Sequence, residues 1–129
     1  MKIVIETIPH KDHRYNTVGD YWYDTSGVLQ IRVSHMNNSK FEKLIAIHEI
    51  IEQFTTECDN IKEEEISDFD VMYEHQRAMG IVKEFSEPGF DRDAPYREHH
   101  TIATGIELII AAKIGVDWNQ YDNTVNALI

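Results

Sequence analysis

The chain has a single cysteine, Cys58, in 129 residues. One thiol excludes an internal disulfide and a cysteine-based zinc site, and it suits a reducing cytoplasm. Basic residues are scarce too: 12 Lys and Arg stand against 23 Asp and Glu, a formal net charge of −11. Phosphate backbones are held by Lys and Arg, so nucleic acid is disfavoured as a partner. No run approaches the roughly 18 apolar residues of a membrane-spanning helix, so no membrane partner is expected. The opening "MKIVIETIPHKDHRY" has too short an apolar run, and too polar a continuation, for a secretory signal. Repeats, low-complexity tracts and linkers are also missing, so residues 1–129 read as one domain.

What is present divides into two parts. In residues 1–36, "KIVIETI", "VGDYWYDT" and "GVLQIRVS" are β-branched, aromatic or alternating, as strands are. The turn Asp24-Thr25-Ser26-Gly27 predicts a hairpin between Tyr21–Asp24 and Val28–Ser34. From Ser39 the apolar period becomes helical. "SKFE" reads as a capping box, Ser39 with Glu42, opening a helix to about Glu57. A second helix from about Lys62 or Ser67 closes at Gly80. A third starts with Pro95 in its first turn and stops at Gly115, and Asp117 caps a last one through about Ala127. Strands segregated before helices predict an α+β fold, a three-stranded antiparallel sheet followed by about four helices.

The first helix carries "HEIIEQF". Zinc peptidase helices place a second histidine four residues after the first; here that position is Glu52. At about 100° per residue, His48 and Glu52 share the apolar face with Phe41, Leu44, Ile45 and Ile51. Glu42, Gln53 and Glu57 gather on the polar side, with Glu49 at the border. A carboxylate on an apolar face costs several kcal/mol unless it is paired, protonated or bound to metal. A His–Glu hydrogen bond one turn apart satisfies the same pattern without a metal.

The third helix, "YREHHTIATGIELIIAAKIG", repeats the theme. His100 and Glu107 share a face with the small residues Ala103, Thr104 and Ala111, while His99 points about 100° away. Ala103 and Ala111 would let another helix come close. Two helices that each hide His and Glu on the inward face predict a metal site. His48 and Glu52 from one helix and His100 from the other make the two-histidine, one-carboxylate set of catalytic zinc, or of another divalent cation. Glu107 is expected to orient His100 or to supply a fourth ligand. Glu49 takes the place of general base toward a metal-activated water, and Tyr96 or Arg97 that of oxyanion stabiliser.

The remaining candidates read as surface groups. Asp70 and Glu74, one turn apart, either join the site or pair with Arg77 and Arg97, with solvation the simpler expectation. Glu63, Glu64 and Glu65 complement the helix dipole. His10, His13, His35 and His75 have no helical partner and are taken as exposed.

The stretches "TVGDYWYD", "LIAIHEIIEQF", "SEPGFDRDAPYREHHTIATGIE" and "GVDWNQYD" together resemble a family of small bacteriophage and prophage proteins without an assigned activity. The likeness runs through His48, Glu49, Glu52, Ala94 to Arg97, His99 or His100, Ile106, Glu107 and Asp117-Trp118. It implies a phage setting, a host-cell cytoplasmic location and a shared site. The first helix is also distantly similar to minimal zincin-like metallopeptidases, which implies peptide or amide hydrolysis by a metal-dependent enzyme acting on a protein or peptide. The alternative is a non-catalytic phage protein that captures a host factor or small ligand, with the His/Glu cluster structural and Tyr21, Trp22, Tyr23 and Trp118 exposed as contacts.

Overall fold

Strict alternation in "LQIRVS" makes β3, Leu29–Ser34, the centre of the sheet. Leu29, Ile31 and Val33 are fully buried on one face, while Gln30 and Arg32 cover the other. Each such apolar side chain contributes about 1.5–3 kcal/mol by leaving water. These elements come from a computed structural model of residues 1–129. β2, Gly19–Tyr23, pairs antiparallel with β3 in the expected hairpin, Tyr21 opposite Ile31. The turn is held by the Asp24 carboxylate, which accepts from the amides of Ser26 and Val28 at 2.8 and 3.0 Å.

The sheet departs from the antiparallel expectation at β1, Ile3–Ile8, which lies on the other edge of β3 and runs parallel to it. Alternation states which face of a strand is buried, not which edge it joins or in which direction. With β2 occupying one edge through its hairpin, β1 reaches the other through the connection 9–18.

Four helices follow: α1 Ser39–Cys58, α2 Glu63–Ala78, α3 Arg97–Lys113 and α4 Trp118–Leu128. The start of α1 is capped one residue earlier than predicted. Asn38 accepts from the amides of Lys40 and Phe41 at 3.1 and 3.3 Å, and Glu42 reaches back to the Met36 amide at 2.7 Å. Ser39 is therefore the first helical residue and not the cap. Pro95 precedes α3 in a turn, with Tyr96 as the capping residue. Gly80 and Gly115 take left-handed backbone (φ +72° each) just past α2 and α3, the conformation a helix stop favours. Asp117 caps α4 through the Gln120 amide at 3.0 Å, as expected.

α1 is the central helix. It packs on β2 and β3 and also lies along α3, so it is buried on more than one side. This is why Gln53, expected on a polar face, is buried. Ala103 and Ala111 are buried on α3, the small residues that permit the close approach. No helix is long and apolar enough to cross a membrane.

Candidate metal centre

One helical turn separates His48 from Glu52 on α1, so both side chains leave the helix on the same face. α3 presents His100 and Glu107 from the opposite side, and all four are buried. Where the helices meet, His48 Nε2 lies 3.0 Å from His100 Nδ1. Glu52 Oε2 completes a triangle, 3.1 Å from His48 Nε2 and 2.9 Å from His100 Nδ1. The His48–Glu52–His100 group could hold a metal ion.

Each member is also held from behind. His48 Nδ1 meets Glu107 Oε2 at 2.8 Å, and His100 Nε2 meets Glu87 Oε2 at 2.9 Å. The Tyr21 hydroxyl donates to Glu52 Oε1 at 3.1 Å, and the Tyr121 hydroxyl donates to Glu107 Oε1. A strand, one further helix and a loop thus converge on the triad.

The outer contacts decide the tautomers. A carboxylate only accepts, so His48 donates through Nδ1–H and His100 through Nε2–H. In the neutral rings both inward nitrogens then present lone pairs, and they face a carboxylate oxygen. Three acceptors within 3.1 Å of one another repel unless a proton or a cation lies between them. The protonated solution has clear consequences. Burial pulls both imidazole pKa values down, but the surrounding carboxylates outweigh it, lifting His48 well above its usual value and His100 to about 9. Burial alone would raise Glu52, but hydrogen bonds from His100 and His48 bring it down to about 2.

The cation solution fits the spacing. Bonds of about 2.0–2.1 Å in a tetrahedral zinc site set ligand atoms about 3.3 Å apart. The observed 2.9 to 3.1 Å needs only a slight opening of the triangle. Two imidazoles and a carboxylate form one face of such a tetrahedron, and all three residues line a cavity of about 150 Å³.

Glu49, adjacent to His48, also lines this cavity. It is half-buried and accepts no hydrogen bond from the protein; burial, then the Glu52 charge, raises its carboxyl well above the usual range. Two glycines make room for the site. A Cβ on Gly19 would lie 2.3 Å from Glu49 Oε1, and one on Gly89 would lie 2.3 Å from His100 Cγ.

Several expectations change in detail. Glu107, expected to orient His100 or to act as a fourth ligand, orients His48, and both its oxygens are occupied. Tyr96, expected as an oxyanion stabiliser, donates its hydroxyl to Asp70 and stands edge-on to His100 with ring centres 6.1 Å apart. Arg97 is exposed. Asp70, expected to be solvated, is 9% exposed and also accepts from Tyr15 at 3.1 Å. Glu74 pairs with Arg77 at 3.0 Å. His99 turns away from the site and meets Asp59 at 2.6 Å. His35 and His75 are exposed, but His10 and His13 are half-buried, and both reach Ser34 Oγ, at 2.9 and 3.0 Å. Tyr21, proposed as an exposed contact, is buried; Trp22 and Trp118 are half-buried and Tyr23 is exposed.

Sequence reasoning missed Glu87, Tyr121, Gly19 and Gly89 as parts of the site. Glu87 and Gly89 lie in the irregular stretch before α3, where no periodicity assigns a side chain to a face. Tyr121 had a usable signal, since it lies one turn after Asp117 on the inward face of α4. No family model, curated protein or solved structure matches this chain.

Proposed function

We propose that the protein is a small zinc-dependent hydrolase of amide bonds, with His48, Glu52 and His100 as metal ligands. The observation that carries this reading is the occupation of both outer imidazole nitrogens by Glu107 and Glu87. Carboxylates behind ligating histidines select the tautomer that points its lone pair at a metal and raise ligand basicity. A bound zinc would lower the pKa of a water and polarise the scissile carbonyl. Glu49, next to His48 and lining the same cavity, would be held ionised by the charge of the bound metal, accept a proton from the attacking water and return it to the leaving nitrogen. Gly19 keeps that carboxylate against β2, and Gly89 keeps the His100 ring in place.

Elemental analysis tests the ligand set. Protein purified without chelators should carry about one equivalent of zinc, and His48→Ala and His100→Ala should each lose it. Wild-type protein that stays metal-free after zinc supplementation would refute the reading. Glu49→Gln should keep the metal and lose hydrolysis of short peptide amides.

A second reading is favoured by the raised pKa values of His48 and His100. Protonated rings would satisfy the same cluster as a structural ion network, and the protein would then act by capturing a host protein or small ligand. On that reading the fold is indifferent to chelators, and Glu49→Gln leaves the function unchanged.

A further inference from the structure

The cavity beside the triad has one-sided electrostatics. Eight carboxyl groups line it, and no Lys or Arg does. Five of the eight have cationic or imidazole partners. Arg14 reaches in from outside to Asp20 and Glu63 at 2.7 and 3.0 Å, and the two histidines meet Glu52, Glu87 and Glu107. Asp122, on α4, bonds Asn126 at 3.2 Å. Glu49 and Asp70 are left.

Asp70 is the unexplained one. It is nine-tenths buried, and no metal-binding role absorbs it. Its only partners are the neutral hydroxyls of Tyr15 and Tyr96, one on each oxygen. A buried carboxylate without a countercharge costs several kcal/mol, and burial lifts its pKa to about 7. Two donors fix its orientation, yet each oxygen keeps a free lone pair. An arriving cation would restore the charged form.

A second metal ion does not fit that vacancy. The His48–Glu52–His100 group is the one place where three ligand atoms of His, Cys, Asp or Glu come within 4.8 Å of one another. Asp70 and Glu49 are separate acceptors, which suits a group that spreads several hydrogen bonds, as an ammonium does. Room is limited as well: a cavity of about 150 Å³ takes a ligand of roughly benzene size. Apolar surface for the rest of such a ligand is supplied by Val18, Ile45, Trp118 and Val125.

We propose that the substrate carries a protonated amine beside the amide to be cleaved, as in an aminoacyl amide or the N-terminus of a short peptide, and that Asp70 anchors this amine. This rests on the reading of the triad as a metal centre acting on a carbonyl. The same field repels a phosphate or carboxylate inside the cavity, so the amine and the amide enter it and an acidic group does not. A divalent ion cancels two charges at most, and several carboxylates remain. Asp70 acts here on specificity, binding the substrate away from the bond that breaks.

The test uses L-alaninamide, which is largely protonated at pH 7, and isobutyramide, its neutral isostere of the same size. Both are titrated by calorimetry into zinc-loaded and metal-free protein. A hydrogen-bonded charge pair of this kind corresponds to about ten- to a hundred-fold in affinity. Alaninamide should bind wild type at least ~10-fold more tightly than isobutyramide, and Asp70→Asn should erase the preference. Tyr15→Phe, which removes one of the two donors and leaves the carboxylate, should keep most of it. Equal affinity for the two amides, binding of neither, or a preference that survives Asp70→Asn would overturn the proposal. So would a second bound zinc that Asp70→Asn removes. The zinc content of the same samples separates the two ideas. One equivalent of zinc without amine preference sinks the anchor alone. An Asp70-dependent amine preference in protein that never takes zinc sinks the metal reading and the cleaved amide with it, and leaves Asp70 as an amine-binding residue.

Discussion

Two pairs of histidines meet in this molecule, and they behave oppositely. His10 and His13 share the Ser34 hydroxyl, at 2.9 and 3.0 Å. His48 and His100 share the Glu52 carboxylate, at 3.1 and 2.9 Å. A hydroxyl both donates and accepts, so Ser34 can serve one ring as donor and the other as acceptor with both rings neutral. A carboxylate only accepts, and the one N–H of each neutral ring is already donated outward, from His48 to Glu107 and from His100 to Glu87. The shared hydroxyl of the first pair needs no added charge, although His13 Nδ1 is left without a partner; the second pair requires a positive charge. What surrounds a histidine pair, and not its presence, makes it a candidate metal site.

Removing members of the triad should break the contrast most sharply. His48→Ala or Glu52→Gln should abolish stoichiometric zinc, read by elemental analysis, while His10→Ala should leave the zinc content unchanged. Equal loss from both pairs would mean the distinction is false.

Next in size is the response to pH, where His13 and the triad histidines should have opposite signs. His100 has a raised pKa of about 9, so protons compete with metal below that value. Zinc affinity should climb as pH rises from 6 towards 9, with proton release on binding. In metal-free protein the raised imidazoles stabilise the fold below about 6.5, and this is lost as pH rises through about 9. His13 is shifted down by burial, so its contribution is present above about 6.5 and lost as pH falls through the lower folded value. Imidazole signals followed by NMR should therefore titrate on opposite sides of 6.5. Titration of both on the same side would contradict the comparison.

A smaller effect is expected behind the rings. Glu107→Gln or Glu87→Gln should weaken zinc binding about 10- to 100-fold without abolishing it, measured by competition with a chromophoric chelator. Gly89→Ala should act in the same direction by pushing the His100 ring aside. Smallest for the metal is Ser34→Ala, which strands buried ring nitrogens and should cost about 1–3 kcal/mol of stability in denaturant unfolding, with zinc binding unaffected.

Much of this was readable from local pattern. Helical periodicity put His48 and Glu52 on one inward face, and His100 and Glu107 on another, because a side chain's direction follows from its position along the helix. The small residues Ala103 and Ala111 announced a close helix neighbour. Burial of Asp70 was not readable, since a carboxylate on an amphipathic helix looks the same whether solvent or two tyrosines face it. Tyr15 and Tyr96, which hold it, come from opposite ends of the chain. The parallel direction of β1 was equally hidden, because alternation is blind to the neighbouring strand.

From the amino-acid sequence alone follow the α+β class, the hairpin, the four helices and the inward faces that carry His and Glu, all consequences of short-range periodicity and capping. The tertiary structure alone decided that Glu107 serves His48, that Glu87 serves His100 and that Asp70 faces the cavity. These pairings join residues 13 to 59 positions apart, and such distances are closed only by packing of the sheet and helices into one core.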